Sequence, residues 1–311
     1  MQSSKNYLLG VTAIIVASTI WGTTGTAATF APEVSAAAIG AAAMGLGGLA
    51  QAAIAWRGLI ASRKALADQW RVLLVGAVCV AIYPLAFYGS MRMAGVTIGT
   101  VISLGSAPLL SAGIEYRQSG FRPSLRWLAG AIIGIVGMVL LSMSEDGGGH
   151  AASAEDSTLM GASVGLVAGF TYALYSSCAR QLMQGGISST TAMGATFGIG
   201  GLLLMPVLLA TGGPFLASWN NAAVGLYMAF VPMFLGYVCF GYGLSRVETS
   251  VATTITLFEP VVAAFFAVVI VGERLSTLGW FGVLLVVICL VCITIPTRSQ
   301  KAPLEVPEPS T

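Results

Sequence analysis

Charge is scarce in this chain: 14 Lys plus Arg and 12 Asp plus Glu make up 8% of 311 residues, where a soluble domain carries roughly 25%. Set against 56% hydrophobic residues and a mean hydropathy of +0.87, that scarcity excludes a water-soluble globule, and lipid must be the solvent for most of the chain. The net charge of +2 excludes a cationic field able to hold nucleic acid by counterion release. One histidine, His150, is present, which leaves no zinc motif of the His-Glu-x-x-His type and no base for a Ser-His hydrolase. No Gly-rich phosphate loop with its lysine occurs, so the chain does not itself hydrolyse ATP. Nothing calls for a cofactor or a metal, and the chain is not read as an enzyme. Cys79, Cys178, Cys239, Cys289 and Cys292 all fall in or at the end of apolar runs, where they behave as small apolar side chains. Cys289 and Cys292 form a CxxC on one helix face, but no histidine or second pair accompanies them, so packing is the preferred reading.

Crossing a hydrocarbon core of about 30 Å takes roughly 20 apolar helical residues. Ten runs of that kind are predicted: Leu8–Phe30, Val34–Trp56, Arg71–Met91, Ala94–Gly113, Trp127–Ser144, Leu159–Cys178, Thr190–Ala210, Ala222–Leu244, Thr249–Val271 and Leu278–Ile295. A closed barrel would need short alternating segments, whereas these runs are continuously apolar. The first run follows Lys5 and ends in small residues, as a secretory signal does, but it is too long for a signal core and is kept as a span. With the N-terminus in the cytoplasm, Lys5, Arg57, Arg63, Lys64, Arg71, Arg117, Arg122, Arg126, Arg180, Arg246, Arg298 and Lys301 all lie inside, leaving only Arg92 and Arg274 outside. The connection from Glu145 to Ser157 holds four acidic residues and no Lys or Arg, as an external loop should. The C-terminus then returns to the cytoplasm, and the expected location is a bacterial-type inner membrane. The Pro-containing tail 298–311 is predicted to be disordered.

A weak duplication divides the chain. Placing residues 96–108 over 248–260 aligns Thr97 with Thr249 and Pro108 with Pro260, and the same offset brings Gly89 onto Gly241. Trp127 follows Pro108 by 19 residues and Trp280 follows Pro260 by 20, while Pro84 and Pro232 sit near the middle of the third span of each half. Five is odd, so the second copy enters the membrane from the opposite side. The expected fold is an all-α membrane protein of ten transmembrane helices, two inverted five-helix repeats around a central cavity. The repeats are assigned to residues 1–150 and 151–297.

The Trp21-Gly22 pair, the Gly- and Thr-containing run leading to Ala107-Pro108, the stretch Thr256-Leu257-Phe258-Glu259-Pro260 and the following Gly272-Glu273-Arg274-Leu275 resemble the drug/metabolite transporter superfamily, and within it the EamA-type ten-span permeases. The resemblance covers about residues 8 to 296. It implies a basket of two halves around a central cavity, with the fifth and tenth spans at the periphery, and it points to export. The first half departs from the pattern: Phe121-Arg122-Pro123 stands where a glutamate usually ends the fourth span, so Glu273 has no symmetric partner.

Glu259 is the candidate coupling group. It falls near the centre of the ninth span, where an ionised carboxylate costs roughly 2.5–3.5 kcal/mol on insertion scales, so it should be neutral, paired or hydrated. The alternative role is to hydrogen-bond backbone freed by Pro260. Pro84, Pro108, Pro232 and Pro260 are the candidate hinges, with simple bending as the default reading. Trp21, Thr24, Tyr83, Ser103, Tyr172, Tyr175, Tyr237, Thr253 and Thr256 are the candidate substrate-binding residues, because a phenol, indole or hydroxyl deep in the membrane needs a polar partner that a hydrated cavity supplies. Trp56, Trp127, Trp219 and Trp280, at span ends, read as an interfacial belt. Gly161, Gly165 and Gly169 in the sixth span, and Gly130 and Gly134 in the fifth, predict close helix contacts.

No Lys or Arg lies within the central third of any span, which disfavours phosphorylated substrates. The expected function is secondary transport of small amphiphilic or zwitterionic solutes, amino acids or related metabolites first, by alternating access with a proton as coupling ion. Alternatives are an exporter of cationic compounds, a passive facilitator or channel, and a non-transporting receptor. Expected partners are the small-molecule substrate, the proton and membrane lipid, with the chain acting as a monomer or homodimer.

Overall fold

The structure is a computed structural model that describes residues 2–120, 122–144, 155–271 and 275–294. The acidic 145–154 connection with His150, the Gly272-Glu273-Arg274 motif and the tail lie outside the described residues. Among the described residues, ten helices are long and apolar enough to cross a membrane: Lys5–Thr29, Ala36–Ala61, Trp70–Ala94, Ile98–Gln118, Leu125–Met143, Leu159–Gln184, Ser189–Thr211, Trp219–Leu244, Thr249–Ile270 and Thr277–Thr294. They are called the first to tenth spans below. Large apolar side chains such as Leu202, Leu209, Phe265 and Phe281 stay exposed on the outside of the bundle, as contact with lipid tails requires.

Several helices outrun the apolar runs that announce them. The fourth continues to Ser119 and the sixth to Gln184, so that Glu115 and Arg180 are helical. The first span loosens at Gly22 and Thr23 before a short helix, Thr24–Thr29. The second and seventh spans start alike: the Ser35 hydroxyl accepts the Ala38 N–H and the Ser188 hydroxyl accepts that of Thr191, satisfying one otherwise orphaned donor at each start.

Packing follows a pseudo-two-fold relation. The second span lies on the seventh, the fourth on the ninth and the fifth on the tenth; the third and fourth both lie on the sixth, as the eighth and ninth lie on the first. Small residues make these approaches close. A Cβ on Gly48 would come within 2.3 Å of the Phe197 carbonyl oxygen, and one on Gly137 within 2.8 Å of that of Gly282. Gly161, Gly165 and Gly169 face Ala94, Ser90 and Ser106 in turn, and Ser90 donates to the Gly161 carbonyl at 2.7 Å. Since lipid is as apolar as a side chain, such close van der Waals packing and interhelical hydrogen bonds drive association in place of hydrophobic burial.

The prolines act unequally. Pro84 and Pro108 sit inside uninterrupted helices, Trp70–Ala94 and Val96–Ser119. Pro232 lies in a π-helical stretch, Ala229–Gly236, and Pro260 follows a tight 3-10 turn, Thr256–Phe258, that divides the ninth span. The two halves share a plan, but the irregular turns at these mid-span prolines sit in the second.

Candidate functional site

The eighth span carries the first element of the site. Proline at 232 removes a main-chain donor, and the π turn around it leaves carbonyl groups that must find partners inside the membrane. The Trp21 indole N–H donates to the Pro232 carbonyl at 2.9 Å, and the Gln51 amide N–H donates to that of Met233 at 3.2 Å. The first and second spans thus pin the irregular segment by two side-chain bonds. Trp21 also packs its ring 4.7 Å from Tyr237 and 5.3 Å from Phe240, centroid to centroid.

From this pin an aromatic wall extends across the bundle. Tyr237 lies 4.4 Å from Phe197, and its hydroxyl shares a 2.7 Å hydrogen bond with that of Tyr175. Tyr83 lies 5.6 Å from both Phe87 and Tyr172, in offset or tilted arrangements that suit ring quadrupoles. The Tyr172 hydroxyl pairs with that of Thr256 at 3.0 Å.

The wall borders a partly open cavity of about 40 Å³, lined among others by Trp21, Thr24, Tyr83, Pro84, Phe87, Tyr88, Tyr172, Tyr237 and Glu259. Its floor is near mid-bundle. It rises between the late parts of the first and third spans and the early parts of the second and fourth, away from the end that carries Arg57, Arg63, Arg117 and Arg180. Glu259 opens the helical segment after the 3-10 turn, and no hydrogen bond or ion pair from the described residues reaches its carboxylate. Among the described residues, no basic side chain lines the cavity.

The remaining sequence candidates lie elsewhere. Tyr175 is fully buried behind Tyr237. Thr253 is also fully buried, and its hydroxyl donates to the Thr249 carbonyl at 2.9 Å and to the Ser111 hydroxyl at 3.2 Å. The Thr256 hydroxyl bonds the Thr253 carbonyl at 2.8 Å as well as Tyr172. Ser103 is buried where Gly169 of the sixth span closes on the fourth. Pro108, Pro232 and Pro260 are buried and are not among the residues lining the cavity. Trp127, read from sequence as part of the interfacial belt, is instead buried, because the helix begins before it at Leu125 and turns the ring inward.

Sequence reasoning passed over part of the wall: Gly40, Ala43 and Met44 of the second span, Leu104 of the fourth, Met233 of the eighth, and Tyr88. A signal for one of these was present. Gly40 lies against Tyr88, where a Cβ would come within 2.9 Å of the ring, so the small residue makes room for the aromatic one.

Comparison with known proteins agrees with this architecture. The EamA-like transporter family matches residues 8–143 and again 159–295. The chain is 29% identical over 291 residues to the uncharacterized transporter YwfM of Bacillus subtilis (strain 168), covering 93% of this chain and 94% of that protein. It is 24% identical over 227 residues to the threonine/homoserine exporter RhtA of Escherichia coli (strain K12), covering 70% and 73%. A protein of known crystal structure, 19% identical, superposes with a TM-score of 0.74 over 96% of this chain and 99% of the other, a likeness of fold.

Proposed function

Because the chain belongs to the EamA-like transporter family, we propose that it is a secondary active exporter of small amphiphilic metabolites, amino acids and their relatives first, working by alternating access. That it is an integral membrane transporter and not an enzyme follows from the family and from its ten apolar helices. The solute, the coupling and the direction are the proposal.

The observation that carries it is a cavity set between the two halves, walled by aromatic rings and, among the described residues, lined by the Glu259 carboxylate and by no basic side chain. Rings that are largely buried yet border open space present faces to an ammonium group or an apolar side chain. Glu259 supports the coupling role. An ionised carboxylate at that depth costs roughly 2.5–3.5 kcal/mol unless compensated, so a proton or a cationic solute is the compensation. In the proposed cycle, Glu259 releases its proton as it binds the solute's ammonium and takes up another after release. The irregular turns at Pro232 and Pro260 supply the bending, with Pro84 and Pro108 as stiffer counterparts. The basic end faces the cytoplasm of a bacterial-type inner membrane in this scheme, so the cavity opens outward.

Reconstitution in liposomes tests the reading. Loading unlabelled threonine or another substrate on the far side should accelerate uptake of labelled solute, and an imposed pH gradient should drive accumulation in the wild type but not in Glu259→Gln. Accumulation undiminished in the variant would refute proton coupling through this residue, and absence of counterflow would point to a passive channel.

One observation favours a second reading. With no basic side chain among the described residues of the wall, an amino acid's carboxylate meets no cation from them, whereas an amine or other organic cation leaves nothing unpaired. Competition of threonine against its methyl ester separates the two: stronger competition by the ester indicates an exporter of cationic compounds.

A further inference from the structure

Below the cavity, toward the basic end, successive contacts tie the ninth span to its neighbours. Thr256 pairs with Tyr172 of the sixth span at 3.0 Å, and Thr253 with Ser111 of the fourth at 3.2 Å. At the end of the series Glu115 of the fourth span receives the first main-chain N–H groups of the ninth: Oε1 accepts from Thr249, and Oε2 accepts from Ser250 at 3.3 Å. Glu115 is 4% exposed. A carboxylate so placed satisfies donors that a helix start leaves open and complements the positive end of the helix dipole.

A second set of bonds braces the same region. Arg180 of the sixth span donates Nη1 to the carbonyls of Leu244, at 2.8 Å, and Val247, and its Nη2 lies 2.9 Å from Glu248 Oε2. The connection between the eighth and ninth spans is thereby fixed to the sixth. All these parties belong to the second half, so the brace lies wholly within that half. Glu115 belongs to the first half. Its two bonds cross the boundary between the repeats on the side where the cavity is closed.

We propose that Glu115 is the gate contact of the basic end: its carboxylate, seated on the start of the ninth span, joins the two halves there and seals the cavity on that side, while Arg180 and Glu248 hold the ninth span in position to be seized. The inference rests on the alternating-access reading and assigns a positioning role, since Glu115 does not line the cavity. Opening toward the basic end requires these charge-assisted bonds to part, and closing reforms them.

The experiment reads accessibility from each side and needs no substrate. Single cysteines replace Thr253, below the cavity floor, and Thr24, at its other end, in full-length protein in sealed vesicles. Alkylation by a membrane-impermeant maleimide is followed peptide by peptide, so that the native cysteines can remain. With Glu115 intact, the residue-24 cysteine should react readily from its side and the residue-253 cysteine slowly from the basic side. Glu115→Ala should speed the latter by about tenfold or more, the factor one charge-assisted hydrogen bond commands, and slow the former by a smaller factor, since the state open to its side predominates at the start. Glu115→Gln, which keeps an acceptor oxygen and guards against a fold lost in the alanine variant, should shift both rates the same way by less. Unchanged rates in both variants would overturn the gate, as would a rise on both sides together, which signals loosening. Failure of proton coupling at Glu259 leaves these rates untouched, so the two proposals fail separately.

Discussion

Two buried tryptophans offer an internally controlled measure of what one hydrogen bond contributes in this bundle. Trp21 and Trp127 are 5% and 7% exposed. The Trp21 indole N–H donates to the Pro232 carbonyl at 2.9 Å, whereas that of Trp127 has no acceptor among the described residues. Replacing either by phenylalanine removes the same atoms and leaves a comparable void, so the void cost appears in both. Only Trp21→Phe also strands a carbonyl of the π turn. Interhelical hydrogen bonds in membrane proteins average about 0.6 kcal/mol and reach about 1.7, while a buried group left unpaired costs about 1–3. Trp21→Phe should therefore lower the unfolding free energy by about 1–2 kcal/mol more than Trp127→Phe. Titration with sodium dodecyl sulfate in mixed micelles, followed by far-ultraviolet circular dichroism, measures both. Equal losses, or a larger loss at Trp127, would refute the claim that the indole pins the eighth span.

Gly137→Ala should cost about 1–3 kcal/mol in the same titration, because the added methyl meets the Gly282 carbonyl and the Val286 nitrogen within 2.9 Å. Gly113→Ala, with nothing within 4 Å of its Cβ, should be neutral or slightly stabilising. The Tyr175 and Tyr237 hydroxyls share one bond, so a double-mutant cycle with phenylalanine at each position should show a coupling of about 0.6 kcal/mol, and strictly additive losses would argue that the bond contributes nothing. Pro232→Ala restores a main-chain donor. Amides 229–236 should then exchange with deuterium more slowly as the π turn becomes regular helix, and transport should fall as the Trp21 and Gln51 bonds lose their partners.

The ten spans were legible because a bilayer imposes one length and one solvent on every crossing segment, a constraint that uninterrupted apolar runs display openly. Their ends were less so. Ending a run near its first charged residue set Glu115 and Arg180 outside their helices, yet a helix loses no hydrogen bonds by continuing past the hydrocarbon edge. In the cavity wall, Trp21, Tyr83, Tyr172 and Tyr237 announced themselves as polar aromatics in mid-span. Gly40, Ala43 and Met44 did not, because a small apolar residue looks the same whether it borders a cavity or a neighbouring helix. Hydroxyls misled for a related reason. Thr253 and Thr256 bond carbonyls of their own helix, a local outlet that competes with any ligand. The unequal breaks at Pro232 and Pro260 had no sequence counterpart, since Pro84 and Pro108 look alike and leave their helices continuous.

The crosswise packing of the repeats also bears on how the chain is made. The second span's main neighbour is the seventh, the third's is the sixth, and the fifth's is the tenth. When the first five helices leave the ribosome, most of their Gly-lined faces therefore have nothing yet to meet but lipid. Assembly must wait for the later helices to be synthesised. Either half expressed alone should be degraded, and co-expression of the two as separate polypeptides should rescue both.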